Sequence, residues 1–155
     1  MTRLQNIVAY LCVNYPYKLE LSKARLTKLV YLADWFSSLI DEKQMTDVDW
    51  LFNHYGPYVD DIVESVRNSR EFSLSAHENH YGSTKVVVGY QGDPSGVKLS
   101  EQEMAILDAV IDKTKGMYFN AFIDYVYSTY PVKSSDRYAK FDLVSLAREY
   151  KSATH

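Results

Sequence analysis

Four histidines, one cysteine and two pairs of neighbouring aspartates are the residues whose chemistry needs testing first. His77 and His80 flank Glu78 in a polar stretch. Two imidazoles and a carboxylate can begin a metal site, but no third or fourth ligand stands at a recognisable spacing. Loop polarity is the simpler reading of that trio. His54 lies beside a turn, and His155 sits at the end of the sequence. Cys12 falls on an apolar stripe with no basic residue placed to depress its pKa, which describes a buried, inert thiol. Asp47 with Asp49 and Asp60 with Asp61 would suit acid–base or metal work if they converged. Adjacent residues on a helix point about 100° apart, however, so Asp60 and Asp61 do not share an ion easily. No glycine-rich phosphate loop and no G-x-S-x-G elbow is present. The expectation is therefore no catalytic residue, no metal and no cofactor. A metal-dependent enzyme using Asp47, Asp49 or His54 is the remote alternative.

What remains is binding chemistry. The chain has 155 residues, 46% hydrophobic and 24% charged, with a net charge of −3. That is ordinary globular composition and the length of one domain, so 1–155 is read as a single domain. One cysteine closes no internal disulfide, no export signal is evident, and no run approaches a membrane span, which points to the cytoplasm. The unusual number is 14 tyrosines. A tyrosine has an apolar body and a polar tip, which suits half-buried and interface positions. Charge is uneven: residues 34–71 carry nine acids against three bases. That stretch repels phosphate and favours a neutral or basic partner.

The elements that must position these residues are mostly helical. Leu4, Ile7, Val8, Leu11 and Cys12 predict a helix over 3–14, stopped by Tyr15-Pro16. Ser22 caps a long second helix over about 22–40, with Leu26, Leu29, Val30, Ala33, Phe36 and Ile40 as its stripe. Pro57 reads as the first residue of a third helix reaching Ser69, with Asp60, Asp61 and Glu64 complementing its dipole. A β hairpin follows, from Phe72 and Leu74 to the β-branched run 84–90. Residues 91–97 form a connector. Ser100 with Glu103 is a capping box for a helix ending at Gly116. Two more helices are expected, over about 120–130 until Pro131 and over about 139–151. The fold class is α+β, mainly α: a compact helical domain of about six helices with one small antiparallel hairpin.

Three helices and a hairpin is also the order of a winged helix. There, 57–69 would be the recognition helix, whose N-terminal residues contact bases. Asp60 and Asp61 would then face the phosphates, with Arg67 and Arg70 too late to compensate. A DNA-binding autoregulator is thus an alternative, and nucleic acid is not the expected partner.

Three stretches carry a resemblance. Residues 26–35, Leu-Thr-Lys-Leu-Val-Tyr-Leu-Ala-Asp-Trp, are similar to the Lys-Leu-x-Tyr-x-Ala helix of the Panacea domain. Residues 52–58, Phe-Asn-His-Tyr-Gly-Pro-Tyr, are similar to that family's Tyr-Gly-Pro turn before a helix. Residues 142–150 resemble its closing helix. Thr27 departs from the commonest pattern, which has a longer polar residue there.

The resemblance implies an antitoxin of a bacterial or phage type II toxin–antitoxin module. Such a protein neutralises its cognate protein toxin by direct contact and without catalysis. Some toxins in these pairs are alarmone-synthetase-like inhibitors of translation, and at least one branch is thought to deliver its toxin to a protease. The implied partner is a toxin encoded by a neighbouring gene, in a homo-oligomer or a heterotetramer with the toxin, away from membranes. Lys28, Tyr31 and Trp35 share a helix face, and His54, Tyr55 and Tyr58 flank the turn, so these six are the expected toxin contacts. The competing reading of the first three is a helix buried on two sides. Gly56 and Pro57 are expected to be structural, Gly56 through unusual backbone angles and Pro57 as a helix start. Tyr125, Tyr127 and Tyr130 form a further cluster that reads as half-buried packing.

Overall fold

The structure is a computed structural model that describes residues 1–54, 56–78 and 82–153. Tyr55, His80 and His155 lie outside the described residues. Seven α helices and two small antiparallel hairpins are present among the described residues. They confirm an α+β, mainly α fold.

Helix α1 (Arg3–Asn14) starts at a capping box in which Thr2 and Gln5 satisfy each other's backbone N–H groups. It ends at Tyr15, ahead of Pro16, as the proline requires. Helix α2 (Lys23–Asp41) is capped by Ser22, whose hydroxyl accepts from the Arg25 amide. Every residue from 25 to 35 on α2 is buried. The helix is apolar or engaged all round because other elements pack on each side of it.

The first departure from expectation lies at Gly56-Pro57. Instead of opening a helix, they belong to strand β2 (Gly56–Tyr58), which pairs with β1 (Leu51–Asn53) in the register Phe52↔Pro57. Gly56 has φ +87°, a conformation that favours glycine. The proline tolerates this position because a strand in a two-stranded ribbon has one edge that needs no donor. Helix α3 is then only one turn long, Asp61–Glu64. Its expected stripe is nevertheless buried at Ile62, Val63 and Val66. A one-turn helix cannot lie along a major groove, so the recognition-helix reading of 57–69 has no element to act through.

The second hairpin is the expected one. Strands β3 (Phe72–Glu78) and β4 (Thr84–Tyr90) pair without a bulge from Phe72↔Tyr90 to Glu78↔Thr84. The capping box of Ser100 and Glu103 opens α4 (Glu101–Thr114). Helix α5 (Phe119–Tyr127) stops before Pro131, which lies in the first turn of a separate helix α6 (Tyr130–Ser134). There its missing N–H costs nothing. The last helix, α7 (Leu143–Ala153), starts four residues later than the periodicity suggested. The chain at 138–141 is used otherwise: the Tyr138 amide donates to the Phe52 carbonyl, and Phe52 and Phe141 amides donate to Ala139 and Trp50 carbonyls at 2.9 Å. This segment therefore runs beside β1 as an irregular third strand. One cluster of buried hydrophobic side chains draws on all seven helices and both hairpins.

Candidate functional site

Helix α2 sets the geometry. Tyr31 is wholly buried, edge-on to Trp50 at 5.7 Å between ring centres and tilted against Phe141 at 6.1 Å. Its hydroxyl meets the Thr129 hydroxyl at 2.8 Å. Burial pushes the Tyr31 phenol well above its ordinary range. Lys28, one turn earlier, is 2% exposed. No carboxylate pairs with it among the described residues. Desolvation pulls its ammonium down to about 8. Trp35 is 4% exposed and packs edge-on against Tyr150 of α7 at 6.0 Å. The structure thus puts Lys28, Tyr31 and most of Trp35 inside the protein. The surface-patch reading of that row yields to two-sided burial, because α5, the 51–58 hairpin and α7 cover the face that periodicity alone leaves open.

Two buried charged groups hold this arrangement. The Asp34 carboxylate accepts from the amides of Met45 and Thr46 at 2.8 Å, the Thr46 hydroxyl at 2.5 Å, Trp50 Nε1 at 2.8 Å and Gln44 Nε2 at 3.3 Å. One side chain therefore orders the irregular stretch 42–50. Burial raises its pKa to about 6, against the pull of these donors. The Arg25 guanidinium, 1% exposed, donates to the Tyr15 hydroxyl and to the carbonyls of Thr114 and Met117 at 2.7, 2.9 and 2.8 Å. It stacks over Phe122 at 4.5 Å. Arg25 so fastens the start of α2 to the turn between α4 and α5. Neither role was legible in the sequence. Asp34 looked like one acid among nine, and Arg25 like one of the five bases, Arg3, Lys18, Lys23, Arg25 and Lys28, in residues 1–30.

On the 51–58 hairpin, His54 is exposed and Tyr58 half-buried. The Tyr58 hydroxyl donates to Asp60 at 2.7 Å. Gly56 backs directly onto Tyr127: a Cβ there would lie 2.5 Å from the ring. The tyrosine cluster expected on the fifth helix is thus partly a packing device. The rest of it opens outward. Between α2, α5, α6 and α7 lies a groove of about 460 Å³, walled by Trp35, Leu39, Tyr125, Tyr130 and Tyr150, with Lys133 at its edge. The Tyr130 and Tyr150 rings meet at 5.3 Å between centres, tilted by 52°, and Glu149 accepts from the Tyr130 hydroxyl at 2.7 Å. Tyr150 belongs to the i, i+3, i+4, i+7 row Leu143, Leu146, Ala147, Tyr150, which is the signal that would have placed it opposite Trp35.

The groups considered for catalysis sit apart. Cys12 is buried, its thiol pushed up to about 12 by desolvation, with Lys18 opposing the shift. His77 shares a hydrogen bond of 3.0 Å with the Ser75 hydroxyl. Among the described residues no group of three or more histidines, cysteines and carboxylates converges on a metal position. No helix among them is long and apolar enough to cross a membrane.

No curated protein and no solved structure matches the chain. Residues 26–131, about two thirds of its length, match the model of the family described as antitoxin SocA-like, Panacea domain, and the chain belongs to that family.

Proposed function

We propose that this chain is the antitoxin of a bacterial or phage type II two-gene module, acting in the cytoplasm as one domain over 1–155. It neutralises a cognate protein toxin by direct contact, without catalysis. Family membership supports a general antitoxin role. The matched residues hold the α2 row and the Gly56-Pro57 strand but stop before 142–150, so the resemblance of the closing helix stands on sequence alone.

The observation that carries the contact site is the tyrosine-walled groove beside Trp35. Aromatic side chains give large contact area at low entropic cost and dominate binding energy where they cluster. Trp35 keeps its place in the proposed site through the groove wall, joined by Tyr130 and Tyr150. His54 and Tyr58 remain candidates on the 51–58 hairpin. Tyr31 acts from beneath by holding that framework through Thr129, and Lys28 lies buried one turn before it. Of the nine acids in 34–71, all but Asp34 reach the surface at least in part, which suits a basic toxin face.

The test is co-expression with the neighbouring open reading frame, read by growth and by pull-down. Rescue with a stable complex is expected. Tyr150→Ser and Tyr130→Ser then weaken the complex by roughly 30-fold or more each, the size of a hot-spot loss. Rescue without a complex, while the neighbour's protein disappears, would move the reading to a protease adaptor. A neighbour that is harmless alone would remove the antitoxin reading.

A further inference from the structure

The groove beside Trp35 has a chemical sign as well as a shape. It lies between α2, α5, α6 and α7, measures about 460 Å³, and no carboxylate lines it. The Ser128, Thr129 and Tyr130 hydroxyls in its wall have already given their protons, to the Tyr125 and Val126 carbonyls at 2.6 and 2.7 Å and to Glu149 at 2.7 Å. Trp35 Nε1, Tyr125 Oη and Lys133 Nζ make no hydrogen bond or ion pair among the described residues. All three can donate, and the indole and the ammonium can do nothing else. A second ammonium, that of Lys113, stands 5.2 Å from the centre of the Tyr125 ring. Glu149, on α7, is engaged by Tyr130, and Asp124, on α5, lies outside the lining. A complementary occupant is therefore apolar where it meets the rings and carries an anionic acceptor where it meets Lys133.

We infer that the groove takes a ridge of the toxin on which a large apolar side chain neighbours an aspartate or glutamate. The apolar group lies against the Trp35, Tyr130 and Tyr150 rings, and the carboxylate lies on Lys133. This rests on the antitoxin reading and gives its groove a partner chemistry. Ser128 and Lys133 are exposed and Tyr150 is 38% exposed, so the rim of the groove is wet. A small ligand would leave that rim uncovered, whereas an amphipathic segment of another protein covers rim and floor together. A second copy does not fit, because a two-fold contact sets the same concave, donor-lined face against itself. A toxin that also turns a basic surface to the acids of 34–71 meets opposite signs at two places, which fixes one docking orientation.

The experiment is calorimetric titration of the full chain with the neighbouring frame's protein, recovered from their co-expressed complex, at low and at physiological salt. Lys133→Glu is expected to weaken binding by roughly 10–100-fold. Lys133→Met weakens it less and flattens its salt dependence. Lys23→Glu makes the same change in net charge as Lys133→Glu but at the far end of α2, and it leaves the affinity as it was. Circular dichroism and a thermal melt confirm that each variant is folded. Replacing the toxin's acids with lysine one at a time then finds one whose variant binds the Lys133→Glu chain tightly again. A scan that finds no such acid overturns the inference. If Tyr150→Ser weakens the complex and Lys133→Glu does not, the groove is the contact site and the acidic ridge is refuted. If the wild-type chain binds and neither variant matters, the toxin sits elsewhere, so the inference falls while the antitoxin reading stands. A wild-type chain that does not bind the neighbour removes both.

Discussion

Tyr31 donates its hydroxyl proton to Thr129, on a segment 98 residues away in the chain. The direction follows from the single proton of Thr129, which is already given to the Val126 carbonyl at 2.7 Å. The phenol is thereby consumed inside the protein, and the junction of α5 and α6 is pinned to the middle of α2.

Tyr31→Phe accordingly costs about 1 kcal/mol of stability, the net worth of one buried hydrogen bond. It leaves toxin neutralisation intact, because no hydroxyl is withdrawn from the surface. Chemical denaturation and the growth-rescue assay check the two halves. A folded Tyr31→Phe protein that fails to rescue would show that the phenol meets the toxin.

Lys28 has the opposite effect on stability. Replacing an unpaired buried ammonium with a hydrocarbon of similar length stabilises a protein by about 1–3 kcal/mol at neutral pH. Lys28→Met is expected to do so. The folded-state pKa is lowered from 10.5 to about 8, so the unfolded chain binds the proton more tightly. Wild-type stability therefore rises as pH climbs between those values, while the variant's does not gain in this way. Melts at neutral and alkaline pH should show the gap closing. A gap that is constant with pH would sink the assignment.

Asp34 titrates with the reverse sign. Its pKa is raised from 3.8 to about 6, so the neutral form is favoured in the folded state. Its contribution is fully present below 3.8 and lost as pH rises through about 6, a swing of about 3 kcal/mol. Asp34→Asn removes that slope. It also sets an amide N–H against the donors that converge there, at a further cost of about 1–3 kcal/mol. Denaturant midpoints across the acid range check both, and parallel curves for the two proteins would refute the pH claim.

Gly56→Ala combines a left-handed φ with a Cβ driven into the Tyr127 ring. The expected loss is about 2–4 kcal/mol, from strain and overpacking together. Tyr127→Ala in the same chain should recover part of it, since it removes the obstacle but not the φ strain. No recovery would mean that backbone strain alone accounts for the loss.

Helix α1 was legible from its apolar row and its stop at Tyr15-Pro16, α2 from the Ser22 cap and its row, and α4 from the Ser100–Glu103 box, its row and Gly116. The Gly56-Pro57 pair misled because proline after a glycine starts helices and also suits edge strands, and acids follow it either way. What decides is pairing with Leu51–Asn53, a strand that is itself held on its other edge by the run 138–141, and that second contact is made across more than eighty residues, which no local pattern encodes. The six proposed contacts divide for a similar reason. Periodicity places Lys28, Tyr31 and Trp35 on a common face, but only tertiary packing reveals that α5 and α7 roof it over. Tyr130 could be read as a half-buried tyrosine and Tyr150 as part of an apolar row, while their ring contact depends on how α6 and α7 fold back on each other.

The Asp34 carboxylate has a consequence in time as well as in space. Met45 and Thr46 lie in a stretch without regular structure, where amide protons ordinarily trade with solvent in moments. Theirs are bound to a buried acceptor fixed in the middle of α2. Both should exchange at the pace of the helix interior, and a loop would then keep the clock of the core.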